Sequence, residues 1–99
     1  MRYYSSMTTV VHGDFEWDSE KGWSNLRKHG VSFEEAASAI VDERGVLFGD
    51  TLDPTRLVVV GMSYRNRVLL VVHCERQERV RIISARRATH HERKAYEET

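Results

Sequence analysis

The chain is poor in cysteine and proline, with one of each and six glycines in 99 residues. A single thiol, Cys74, excludes an intramolecular disulfide and a cysteine-rich zinc site, and it suits a reducing compartment. No apolar run approaches the roughly 18–20 residues of a membrane span. The opening MRYYSSMTTVVHG lacks the apolar stretch of about 7–15 residues that marks a secretory leader. The expected location is cytoplasmic, with no membrane partner. Net charge is missing as well, because 15 Lys and Arg balance 15 Asp and Glu. That excludes a uniformly basic nucleic-acid binder. Scarce Pro and Gly exclude broad disorder.

What is present is a globular composition, 40% hydrophobic and 30% charged. A chain of this size can bury about 60–70% of its unfolded surface, enough for one modest core. The balanced charge is unevenly spread. Residues 1–50 carry five basic against nine acidic side chains, and residues 51–99 carry ten against six, which is −4 followed by +4. Such asymmetry is a partner signal.

The front half reads as helical. Asp18 or Ser19 can cap a helix with Glu20 in its first turn, Lys28 and His29 in its last, and Gly30 at the C-cap. Ser32–Glu35 reads as a capping box, with the serine accepting from an amide and Glu35 reaching back. Phe33, Ala36, Ala37 and Ile40 follow at i, i+3, i+4, i+7. A short strand, Asp14–Trp17, precedes both helices. The back half changes period: Val46–Phe48, Leu57–Ser63, Val68–Cys74 and Arg79–Ala85 are β-rich runs separated by short loops. Thr89–Glu92 is a second capping box, opening a helix to about Glu98. The order predicts an α+β fold. It is one small domain over residues 14–99, an antiparallel β-meander packed with two N-terminal helices and one C-terminal helix. Residues 1–13 read as an N-terminal arm, part of it disordered.

The positive charge is concentrated. Residues 65–87 hold seven arginines and no lysine: Arg65, Arg67, Arg76, Arg79, Arg81, Arg86 and Arg87. Alternation along Arg79–Ala85 puts Arg79, Arg81 and Ile83 on one face and Val80, Ile82 and Ser84 on the other. Arg86 and Arg87 follow at the strand end. Strict parity separates Arg81 from Arg86 unless a bulge or the strand end intervenes. These arginines either solubilise an exposed strand, paired with Glu75, Glu78 and helix carboxylates, or grip phosphate bidentately. Two features favour phosphate: the bias is entirely arginine, and it runs into a capped helix N-terminus.

The remaining candidates are weaker. His90 and His91, like His73 and Cys74, point to different sides of their element, so no metal centre and no cofactor is expected. His73 reads as a satisfied core or edge histidine and Cys74 as a small hydrophobe. Trp17 and Trp23 read as core fillers, with base stacking the alternative. Tyr96 reads as half-buried with its hydroxyl outward. Lys28 and His29 suit either a helix dipole or a site. No serine–histidine–acid pattern, Walker loop or dinucleotide fingerprint occurs.

Taken in order, Phe15-Glu16-Trp17-Asp18, Lys21, Asn25, Lys28-His29-Gly30, Val31, Phe33–Ala36, Arg81–Arg87, Glu92 and Tyr96 resemble the BrnT family. These are the toxins of BrnT–BrnA type II toxin–antitoxin systems, and the resemblance runs from about Asp14 to Glu98. It implies a RelE-like ribonuclease fold and metal-free RNA cleavage by the ribose 2′-OH, inhibiting translation. It also implies a BrnA-like antitoxin with a ribbon-helix-helix domain, in a complex that represses its own operon, so DNA is reached only through the antitoxin. On this resemblance Arg81, Arg86, Lys28 and His29 are the catalytic candidates. Arg65, Arg67, Arg79 and Arg87 are RNA contacts, and Glu92, Tyr96 and Trp17 support them. The competing class is a non-catalytic RNA- or antitoxin-binding module on the same scaffold.

Overall fold

The structure is a computed structural model that describes residues 8–98. Among the described residues, nine elements follow one another. They are β1 (Thr9–His12), β2 (Phe15–Asp18), α1 (Ser19–His29), α2 (Phe33–Ile40), β3 (Val46–Gly49), β4 (Leu57–Met62), β5 (Val68–Arg76), β6 (Arg79–Arg87) and α3 (His90–Glu97). The strands form one six-stranded sheet ordered β1-β2-β6-β5-β4-β3. The fold is α+β, and β3 to β6 make the expected antiparallel meander.

Two features differ from the expectation. Thr9–His12, inside the segment read as an arm, is a strand paired antiparallel with β2. Residues 1–7 of that arm lie outside the described residues. And β2 runs parallel to β6, through Phe15↔Val80 and Glu16↔Arg81. This pairing joins the two ends of the chain, so no local pattern announces it.

Local chemistry explains the helix ends. The Asp18 carboxylate accepts from the Lys21 N–H at 3.0 Å, and Gly30 closes α1 in the left-handed region at φ 70°, where a side chain would be strained. The Ser32 hydroxyl accepts from the Glu35 N–H at 3.0 Å. The expected box at α2 is only half made, however, because the Glu35 carboxylate turns inward to Arg67 and Ser63. Burial with a guanidinium outweighs a surface cap. At α3 the box is complete, with Thr89 and Glu92 exchanging both bonds.

The core lies under α1 and α2. Trp17, Phe33, Ala36, Val59, Leu69, Val71, Ile82 and Ala85 are all buried in one cluster. Trp17 meets Phe33 edge-on, centroids 5.9 Å apart, a favoured aromatic geometry. α2 sits so close to β4 that a Cβ on Gly61 would come within 2.3 Å of the Ala39 carbonyl oxygen. Only glycine permits that approach. The opposite face is covered differently. α3 lies over its β4 side, where Phe48, Val58, Val60 and Leu70 meet His91, Glu92 and Ala95. The β6 and β2 side of this second face carries no helix among the described residues.

Candidate functional site

The side of the sheet that carries no helix among the described residues is where the arginines gather, and a bulge puts them there. Val72 pairs with Ser84, but the next residue, His73, pairs with Ile82. Ile83 is the extra residue in β6. On one side of it Arg79 and Arg81 oppose Arg76 and Cys74. On the other side Ser84 and Arg86 oppose Val72 and Leu70. Residues 70, 72, 74 and 76 of β5 share a face, so Arg79, Arg81, Ser84 and Arg86 share it too. This corrects the strict alternation, which placed Ser84 with Val80 and Ile82 and split Arg81 from Arg86.

Each of these two arginines is held by a carboxylate. Arg81 Nη1 donates to Glu16 Oε2 at 2.6 Å, both side chains mostly buried. Arg86 forms a fork with Glu92, two bonds of 2.9 Å, and also donates to the Arg87 carbonyl at 3.2 Å. The bonds from Arg86, with those from Thr89, hold the Glu92 carboxyl down to about 2, against the opposing effect of burial. The same contact raises the Arg86 guanidinium above its ordinary value. Both groups stay charged at neutral pH. A guanidinium has five N–H donors, and three of those on Arg86 are committed. Nε–H and one Nη2–H remain for an anion.

The other cations meet at the end of the sheet where α1 and β6 finish and β5 begins. Lys28 and His29 are exposed in the last turn of α1. Arg67 ties this end together: Nε donates to Glu35 Oε2 at 2.9 Å, and Nη2 to Glu35 Oε1 and to the Gly30 carbonyl. Glu35 is 1% exposed. Burial pushes its carboxyl up, but bonds from Arg67 and Ser63 and the charges of Arg67 and Arg65 outweigh that and leave it below the usual range. Arg65 stands 3.8 Å from the same carboxylate with its side chain 58% exposed. Arg87, also exposed, opposes Leu69. The exposed cations here are therefore Lys28, Arg65 and Arg87, with the exposed His29 next to Lys28 and Arg86 emerging on the neighbouring face. No hydrogen bond or ion pair among the described residues joins Lys28 or His29 to Arg81 or Arg86. Arg79 lies at the far hairpin, opposite Arg76.

Three side chains depart from their sequence reading. Tyr96 is buried with its hydroxyl turned in, donating to Asp42 Oδ2 at 2.6 Å. Trp17 fills the core, but Trp23 is 64% exposed. His73 is a core histidine without satisfaction: both ring nitrogens are buried and lack a hydrogen-bond partner. The sequence reading gave no site role to Glu16, Glu35 or Asn25, although Glu16 and Asn25 stand among the residues that carry the resemblance. For Glu16 the signal existed, because alternation in Phe15–Asp18 sets it on the face opposite Trp17. Glu35 was read only as a cap, and nothing local marks Asn25. Among the described residues no group of three or more His, Cys, Asp or Glu converges to hold a metal ion. No helix there is long and apolar enough to cross a membrane.

Comparison with known proteins adds a family. The model of the ribonuclease toxin BrnT of type II toxin–antitoxin systems matches residues 17–92. Among solved structures, the chain is similar to the crystal structure of the Brucella abortus ribonuclease toxin BrnT. The TM-score is 0.61 at 22% identity, covering 74% of this chain and 92% of that one. At such identity the likeness concerns the fold. No curated protein matches the chain.

Proposed function

Because the chain belongs to the BrnT family of ribonuclease toxins of type II toxin–antitoxin systems, we propose that it is a metal-independent endoribonuclease that stops translation in the cytoplasm. Its RNA site is the arginine face of β6 together with the cationic end beside it. The observation that carries this reading is the bulge at Ile83, which sets Arg79, Arg81 and Arg86 on one face of β6.

The chemistry follows from what these groups offer. The ribose 2′-oxygen attacks the adjacent phosphorus and loses its proton to a base. The 5′-oxygen leaves and takes a proton, giving a 2′,3′-cyclic phosphate and a 5′-hydroxyl. Negative charge builds on the phosphorane, and prepositioned guanidinium donors stabilise it. Arg81 and Arg86, already oriented by Glu16 and Glu92, supply those donors. Lys28 and His29 serve proton transfer or RNA contact, and Arg65, Arg79 and Arg87 hold flanking phosphates. Arg67 is spent on Glu35 and Gly30, and it acts by fixing the loop that carries Arg65. Glu92 orients Arg86, while Trp17 and Tyr96 support from the core. A cationic rather than a carboxylate-rich surface supports cleavage without a metal. On this reading the partner is a BrnA-like ribbon-helix-helix antitoxin, whose acidic segments would meet the same arginines and whose dimer would bring the complex to its operon DNA.

The test is cleavage of RNA by the purified chain in EDTA, beside Arg81→Ala and Arg86→Ala. Cleavage by the wild type and much slower, still measurable cleavage by both variants are expected; wild-type binding without cleavage sinks the nuclease reading. The second reading, a non-catalytic binding module, draws on one observation: Arg81 and Arg86 are both already neutralised by carboxylates. It predicts salt-sensitive binding with no cleavage at any EDTA concentration.

A further inference from the structure

β6 is an inner strand, yet β2 accompanies it only at Val80 and Arg81 before the chain turns into α1. Beyond that point one edge of β6 has lost its neighbour. In the β5–β6 ladder the Ala88 N–H bonds the Val68 carbonyl at 2.9 Å. By alternation Arg86 and Ser84 also bond β5, and Ala85 between them turns its N–H and C=O toward the vacated side. The Asn25 side chain occupies that side. Its Nδ2 donates to the Ala85 carbonyl at 2.8 Å and its Oδ1 accepts from the Ala85 N–H at 3.1 Å. The second Nδ2 hydrogen goes to the Val31 carbonyl at 2.9 Å.

One carboxamide facing one backbone residue, donor to acceptor and acceptor to donor, offers what a residue of a neighbouring strand would offer. Asn25 is 6% exposed, so water does not compete. The place matters because Ala85 sits between the bulge at Ile83 and the strand end at Arg87. Without the clamp, two buried backbone groups would lose their partners and the strand would be free to shift. The next residue is Arg86.

We infer that Asn25 is a positioning residue for Arg86: by standing in for the missing strand it fixes the backbone from which Arg86 reaches Glu92 and the open face. This deepens the proposed ribonuclease site and rests on reading Arg86 as its phosphate contact. Other side chains serve less well there. Aspartate keeps the bond from the Ala85 N–H but cannot donate to either carbonyl, and glutamine is one methylene too long for the same ring.

The test is a double-mutant cycle in single-turnover RNA cleavage, joined to NMR of the Arg86 guanidinium. Asn25→Ala should slow cleavage about 10²-fold, the scale of a small misplacement of a reacting group. In an Arg86→Ala chain the same change should cost no more than about twofold, since its target is gone. Equal losses in both backgrounds overturn the assignment. The Arg86 Nη–H resonances should shift and exchange faster in Asn25→Ala, and unchanged resonances overturn it as well. If the wild type cleaves no RNA, the ribonuclease reading fails on its own, and the resonances alone decide the clamp. If Asn25→Ala does not fold, Asn25→Asp takes its place in both arms. Should neither fold, Asn25 is a fold determinant and the assignment falls.

Discussion

The two faces of the sheet use the same ionic pair to different ends. Under α2, Glu35 and Arg67 are 1% and 18% exposed at their side chains, with Ser63 and the Gly30 carbonyl completing the network. On the open face Glu92 and Arg86 are 26% and 40% exposed, with donors left over. A buried pair is a liability that must stay whole, because removing one partner strands the other in low dielectric. A half-exposed pair contributes little to stability, and its guanidinium remains available to an anion. The covered face therefore spends Arg67 on structure, whereas Arg86 keeps donors free; Arg81, 19% exposed beside Glu16, is as enclosed as Arg67.

The comparison breaks most directly at Arg67. Arg67→Ala should cost about 3–5 kcal/mol in chemical denaturation, and a loss below about 1 kcal/mol would erase the contrast between the faces. Arg86→Ala should do the reverse. RNA cleavage should fall by about 10²–10³-fold, the effect of losing one well-placed donor, while stability changes by no more than about 1 kcal/mol. Gly61→Ala tests the packing of the covered face. With 2.3 Å between its Cβ and the Ala39 oxygen, it should lose about 1–3 kcal/mol in thermal melts.

Acid titration separates the faces more finely. His73 lies on the covered side of β5, paired with Leu57 and Ile82. Burial lowers its pKa below the ordinary 6.5, against a smaller opposing pull from Glu75. The unfolded chain takes up that proton first, so stability falls as pH drops below 6.5, by at most about 1.4 kcal/mol per pH unit for one proton. The loss levels off below the folded-state value. Glu92 acts lower on the scale. Its folded value of about 2 lies under its ordinary 4.5, so its contribution is whole above 4.5 and drains away as pH falls toward 2. His73→Phe should remove the first descent from a pH–stability curve and leave the second, and Glu92→Gln should do the opposite.

Much of the molecule was legible because much of it is local. Asp18, Ser32, Thr89 and Gly30 mark helix ends through contacts within a few residues, and all four stand where the pattern put them. The meander was legible from the short loops. The misses are contacts made across long stretches of chain. Glu16 reaches Arg81 and Asn25 reaches Ala85, 65 and 60 residues away. A capping signal at Glu35 was overridden by an arginine 32 residues on. Tyr96 turned inward because Asp42, in the loop after α2, accepts a hydrogen bond from its hydroxyl. The bulge was illegible for a different reason: register belongs to a pair of strands, and Ile83 looks like any other β-branched residue until β5 is laid beside it.

The parallel pairing of β2 with β6 also bears on when the molecule can exist. Strand order places β2 against the last strand, so Phe15 and Glu16 must wait for Val80 and Arg81. During synthesis β2 can pair with β1 early, but its β6 side stays open until Val80 and Arg81 have emerged, and such distant pairings are the slow ones to form. Arg81 and Arg86 come late by the same order, and Glu92, which holds Arg86, comes later still. The arginine surface of a nascent chain is thus assembled only once Arg81, Arg86 and Glu92 have all emerged.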